Sequence, residues 1–170
     1  MPARFERFVR ALDEHGVRYV LIGGAALELH GSGYRTEDVD LVYARDSANI
    51  ERLVRALALF RPRLRVRGEP AGLPILFDAR FISNGENFTF VTDIGDVDIF
   101  GRIAGNFTFE TLQPLAARFD MDGVTVSMLT LHGLRTTKMA AGRPKDALAL
   151  PEIEAMLEAE RVRNEEHHDA

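Results

Sequence analysis

Apolar residues in this chain recur first at helical spacing, then at every second position, then at helical spacing again. Phe5, Phe8, Val9 and Leu12 mark one face of a helix that His15 and Gly16 close. Tyr19–Ile22 reads as a short apolar strand. Gly23 and Gly24 turn the chain into a second helix, carrying Ala25, Ala26, Leu27 and Leu29, which Gly31, Ser32 and Gly33 end. Val39–Tyr43 is a second strand. Asp46 or Ser47 can cap a third helix with Ile50, Leu53, Val54 and Leu57 on one face; it stops near Arg61 and Pro62, because proline disfavours a helical residue before it. From residue 63 the period is two. Leu64 and Val66 alternate with Arg63, Arg65 and Arg67, then Phe88, Phe90 and Thr92 with Thr89 and Val91, then Val97 and Ile99 with Asp96, Asp98 and Phe100. Residues 118–128 form a hairpin signal turning at Asp122 and Gly123. Thr130 can cap a helix to about Ala141, with Gly142 as its stop and Pro144 beyond. A last helix is predicted from near Pro151, with Ile153, Met156 and Leu157 inward, then a charged, frayed tail from Arg161. Alternating helices and strands, then consecutive strands, then helices predict an α/β or α+β fold: a mixed sheet flanked by helices, with a C-terminal helical segment.

Composition narrows the function more than the fold. A chain of 170 residues is expected to be one domain with a sizeable core, and 46% apolar with 28% charged residues is ordinary for a globular protein. No apolar run is long enough to span a bilayer, and Met1, Pro2, Ala3 and Arg4 carry no signal-peptide pattern. The expected location is therefore the cytoplasm, with no membrane partner. The absence of cysteine excludes disulfides, zinc–thiolate sites and thiol nucleophiles. A net charge of −5 argues against a broad basic surface for nucleic acid, although it permits a local basic track.

Candidate chemistry centres on aspartates. In a strand, Asp38 and Asp40 share one face while Val39 turns away, which sets the two carboxylates roughly 6 to 7 Å apart. Such a pair can bridge two hard divalent cations. The bland alternative is a solvated strand end, or a helix cap for Asp38. Gly23 and Gly24, opening a helix, would let backbone N–H groups approach a phosphate, unless they only make a tight turn. Arg61, Arg63, Arg65 and Arg67 form a row at period two. It could track a phosphodiester backbone, but a charged guard on an edge strand is the preferred reading. None of the histidines has metal-ligand spacing, and no Gly-x-Ser-x-Gly pattern is present.

The segment from Tyr19 to Leu41 resembles the signature of the DNA polymerase β-type nucleotidyltransferase superfamily: an apolar strand ending in a glycine pair, a helix, then Asp-x-Asp in a second strand. Thirteen residues separate Gly24 from Asp38. His30-Gly31 and Arg35-Thr36 look like the small prokaryotic branch that includes toxin–antitoxin and abortive-infection members. Gly95-Asp96-Val97-Asp98-Ile99 is similar to the later strand of the family that supplies a third carboxylate, at Asp98 by position and flanks, with Asp96 as the competing assignment. Lys138 with Gly142-Arg143-Pro144-Lys145-Asp146 is similar to a cationic pattern near the end of that branch. The resemblance implies a nucleotidyltransferase fold over the whole chain, with a core at about 18–128 and C-terminal helices at about 130–162.

It further implies transfer of a nucleoside monophosphate from a nucleoside triphosphate such as ATP to a hydroxyl acceptor, with release of pyrophosphate. Two magnesium ions, or manganese in their place, would sit on Asp38, Asp40 and Asp98. Gly23, Gly24, Arg35, Lys138, Arg143 and Lys145 would bind the nucleotide, and the acceptor would be RNA such as tRNA, a protein or a small molecule. Duller roles stand beside these. Arg35 could pair with Glu37 or Asp38, and Lys138, Arg143 and Lys145 could simply complement a helix C-terminus. Asp146 is expected to organise the turn between Lys138 and Lys145. The alternative is a catalytically silent, antitoxin-like binding module on the same fold.

Overall fold

The computed structural model describes residues 3–33, 36 and 38–168. Helix α1 (Ala3–Glu14) leads into β1 (Tyr19–Ile22), α2 (Gly23–Leu29) and β2 (Val39–Tyr43). Then come α3 (Ser47–Ala58), β3 (Arg63–Val66), β4 (Glu69–Leu73), α4 (Ala79–Ser83), β5 (Asn87–Thr92) and β6 (Gly95–Phe100). After α5 (Phe109–Leu112), the hairpin β7 (Ala116–Met121) and β8 (Val124–Leu129) leads to α6 (Leu131–Ala141) and α7 (Pro144–His168).

Among the described residues the strands form one mixed sheet of eight, in the order β4-β3-β5-β6-β2-β1-β8-β7. The pairs β2–β6 and β1–β8 are parallel and the others antiparallel. The predicted mixed sheet with flanking helices is what the chain forms. The middle of the sheet is the driest part: Leu21, Leu41, Val42, Tyr43, Val97 and Ile99 are fully buried or nearly so. Burial of that apolar surface is the main force holding β1, β2 and β6 together. Helix α1 packs on β8 and α3, α2 contacts β2 and α6, and α6 lies along α7.

Local chemistry explains most boundaries. The Asp46 side chain accepts a hydrogen bond from Asn49 N at the start of α3, and Thr130 Oγ1 does the same for Gly133 N at α6. Gly142 closes α6 with φ of 60°, the left-handed geometry that glycine adopts without penalty. Asp122 and Gly123 both have positive φ, 57° and 79°, as a two-residue hairpin turn requires.

Two expectations need correction. Helix α7 begins at Pro144 rather than near Pro151, which lies inside it. Proline is well suited to the first helical position, so Pro144 both ends the α6 connection and starts α7. The tail expected to fray from Arg161 is helical to His168, where Arg161 pairs with Glu158 and Glu165 one turn away on either side. The short β4, α4 and α5 carried no sequence signal. In β4, Pro70 and Gly72 suppress one, and the strand exists because it lies at the sheet edge, where proline is tolerated.

Candidate active site

Asp40 and Asp98 face one another across the parallel β2–β6 pair as register partners. Asp38 stands one pleat before Asp40, its backbone N–H donating to Thr36 Oγ1. Asp40 is also in register with Ile22, the last residue of β1, so the following glycine turns directly against its carboxylate. Gly23 has φ of +67°, and a Cβ placed there would collide with Asp40 Oδ2 and stand 3.2 Å from Asp40 Cβ. The glycine is thus needed for both its backbone conformation and its missing side chain. Gly24 continues into α2, whose N-cap Ile22 gives no side-chain hydrogen bond, so that among the described residues no side chain caps the N–H groups of its first turn.

Beside these residues lies a cleft of about 450 Å³. Gly23, Asp40 and Asp98 line one side, and Lys138, Arg143 and Lys145 line the wall formed by α6 and α7. Beyond Asp98 the cleft continues past Phe100 and Ile103 to Glu86 and Arg102, which pair with each other at 3.3 Å. Gly24 and Asp38 fall outside this lining, and Arg35 lies outside the described residues.

The cations are organised by one buried acid. Asp146 is 1% exposed and pairs with Arg143 Nε at 2.6 Å and Lys138 Nζ at 3.5 Å. Burial pushes its carboxyl up, but Arg143 and Lys138 outweigh this, and the net shift is downward. Its expected role in ordering that turn agrees with this geometry. Lys138 lies in the last turn of α6, so a helix-dipole role accounts for part of its position. Lys145 is different. It sits in the first turn of α7, where the dipole disfavours a cation, and no carboxylate among the described residues lies within ion-pair distance of it. Its charge nevertheless reaches Asp40.

The carboxylates repel one another. Burial and then Asp38 raise the Asp40 carboxyl, against Lys145, Arg143 and Arg65. Asp98 is 9% exposed, and burial together with Asp40 and Asp38 pushes it up to about 6 despite Arg65. Among the described residues no donor reaches the carboxylates of Asp38 or Asp40. Half-buried charges left in that condition are costly, and a hard divalent cation is the partner that oxygen-only donors suit. Asp38 and Asp40 therefore fit a metal ion. Asp98 fits one only in part, because both its oxygens already accept from Arg65 Nη2, at 3.0 and 2.9 Å. Accordingly, no three acids among the described residues stand together as a ready ligand set.

The raised Asp98 carboxyl has a measurable sign. A group that binds its proton more tightly when folded adds stability below its unfolded value near 3.8, and loses it as pH rises through about 6. Asp98→Asn should therefore stabilise the metal-free protein above pH 6.5, on the order of 2 kcal/mol, and not at pH 4. Denaturant melts in chelator at the two pH values measure this; a variant less stable than wild type at pH 7.5 would contradict it.

Arg65 is the residue that sequence reasoning misplaced. Strand β3 is not an edge, since β4 and β5 flank it. Three of the four arginines are occupied internally: Arg61 Nε donates to Asp93 at 2.6 Å, Arg63 to the Gly72 carbonyl, and Arg65 to Asp96 and Asp98. They neither guard an edge nor form a free track for a phosphodiester chain. The available signal was a complementary one, a row of arginines and a row of acids, each at period two. Glu86 and Arg102, at the far end of the cleft, had no signal.

No protein-family model matches the chain, and no curated protein does. Solved structures do resemble it. The lincosamide antibiotic adenylyltransferase LnuA, bound to lincomycin, aligns with a TM-score of 0.60 at 12% identity, over 92% of this chain and 98% of that one. A candidate nucleotidyltransferase from Thermotoga maritima gives 0.54 at 16% identity, over 87% and 88%. An antigenic nucleotidyltransferase-like protein from Paracoccidioides brasiliensis gives 0.56 at 19% identity, over 92% and 75%. Strand order, helix placement and these likenesses together show that the chain has the nucleotidyltransferase fold.

Proposed function

We propose that the protein is a nucleotidyltransferase that moves a nucleoside monophosphate from a nucleoside triphosphate to a hydroxyl acceptor. One observation carries the reading: Asp40 and Asp98 face one another on neighbouring strands beside the Gly23 turn, with Asp38 just before the first of those strands, across a cleft from Lys138, Arg143 and Lys145. The acceptor oxygen forms a bond to the α-phosphorus, and the bond from that phosphorus to the bridging oxygen of the β-phosphate breaks, releasing pyrophosphate. Asp98 draws the proton from the acceptor hydroxyl in this reading, a role that the basicity raised by burial supports. Backbone N–H groups of Gly23 and Gly24 bind the terminal phosphates, and the three cations neutralise their charge. Magnesium or manganese held by Asp38 and Asp40, with Asp98 completing the set, would supply Lewis-acid stabilisation of the entering and leaving oxygens.

A second reading rests on Arg65. An arginine seated on Asp98 suits a silent member that binds nucleotide or a partner protein without turnover. Incubation with each α-labelled nucleoside triphosphate and Mg²⁺ or Mn²⁺, with total RNA, protein and small-molecule extract as acceptors, separates the two. Label entering one acceptor class, with an equal amount of pyrophosphate, is the expected result. Nucleotide binding with no pyrophosphate from any combination would favour the silent module. The arginine row no longer supports an RNA acceptor, so RNA enters this test on equal terms with the other two.

A further inference from the structure

We propose that Arg65 is a displaceable counter-ion that gates the third carboxylate, holding Asp98 when the site is empty and withdrawing onto Asp96 when metal and nucleotide load. The inference rests on the transferase reading and adds a regulatory step to it. Arg65 Nη2 sits between the two oxygens of Asp98, the direction from which a cation would take that carboxylate with both. Nη1 of the same guanidinium donates to Asp96 at 2.7 Å. One side chain thus bridges two acids, of which only Asp98 faces Asp40 in register.

The two ends of this bridge are unequal. Asp98 has 13% of its side chain exposed, while Asp96 has 31% and Arg65 33%. Letting go of Asp98 returns the guanidinium to a wetter position where it keeps a full ionic partner. The backbone under it is fixed, because β3 is hydrogen-bonded on both sides and the Arg63 guanidinium is tied to the Gly72 carbonyl. Side-chain rotation about the Asp96 contact is then the economical movement. A dication arriving beside Asp40 and Asp98 repels the guanidinium, and its charge drives the exchange. With the site empty, the same guanidinium offsets the mutual repulsion of Asp38, Asp40 and Asp98. Asp96 is therefore the resting place of the gate, and no ligand role is needed to explain it.

Manganese binding, followed by electron paramagnetic resonance and calorimetry in the presence of a non-hydrolysable nucleoside triphosphate, tests this with the full chain. Arg65→Gln should tighten the weaker Mn²⁺ ion by about 10-fold or more, the scale of one charge-assisted hydrogen bond. Asp96→Asn should weaken it by a similar factor, because Arg65 then has only Asp98. The double variant should bind like Arg65→Gln, and adding Asp98→Asn to Arg65→Gln should erase the gain. Weaker or unchanged Mn²⁺ binding in Arg65→Gln would instead make Arg65 a fixed positioning residue and overturn the gate. So would unchanged or tighter binding in Asp96→Asn, a substitution at a partly exposed acid that should leave the fold intact. If wild type transfers label while these affinities do not move, only the gate fails; if no variant binds Mn²⁺ and wild type transfers nothing, both readings fall.

Discussion

Asp40→Asn should lower nucleotidyl transfer on the order of a thousandfold or more while leaving the protein at least as stable as wild type. Asp40 stands at the centre of the site, register partner to both Ile22 and Asp98 and touching the Gly23 turn. The amide keeps the shape but loses the negative charge that, in the proposed mechanism, would hold a metal ion, and stabilisation of the charge developing on the entering and leaving oxygens would go with it. Stability should move the other way, because burial and Asp38 already disfavour the ionised carboxylate. Loss of turnover without loss of fold is the signature of a residue selected for chemistry. Initial rates of label transfer and a denaturant melt of the same preparation supply both readouts. A variant within tenfold of wild-type rate would remove Asp40 from the mechanism.

Gly23→Ala should damage both fold and function. At φ of +67° an L-residue pays on the order of 1 kcal/mol for its backbone alone. The new methyl would also collide with Asp40 Oδ2. The clash is relieved only by moving the carboxylate or the turn, and either movement separates the acid from the N–H groups proposed to bind phosphate. A stability loss of about 2 to 3 kcal/mol, together with a transfer rate reduced by about 100-fold or more, is expected. Gly24→Ala is the natural control, because no positive φ is found at Gly24. Equal effects at the two glycines, compared by melting and by nucleotide-dependent rate, would show that close approach at Gly23 is not what matters.

How far the sequence could be read follows from how local each signal was. The strand, glycine pair, helix and second strand over residues 19–43 are set by neighbours in the chain: apolar runs, a glycine turn and alternation. The predicted strand bounds there match those formed. Caps at Asp46 and Thr130 and the Asp122–Gly123 turn were legible for the same reason, since a side chain or a positive φ within a few residues decides them. Pro151 misled because proline's preference for a helix start competes with its tolerated place inside a helix already begun at Pro144. Arg65 was illegible in a stronger sense. Its partners Asp96 and Asp98 lie more than thirty residues away, and only the strand order, which no local pattern encodes, brings β3 within reach of β6.

The acids and the cations of the cleft stand on different supports. Asp40 and Asp98 are fixed in the sheet, whereas Lys138, Arg143 and Lys145 hang on a helical hairpin folded at Gly142 and fastened by Asp146. Mutation can therefore reshape the hairpin, and with it the cationic wall of the cleft, without disturbing the two carboxylates held in the sheet. Variation along α6 and α7 can thus retune the charge of one wall while the opposite wall stays as the strands set it.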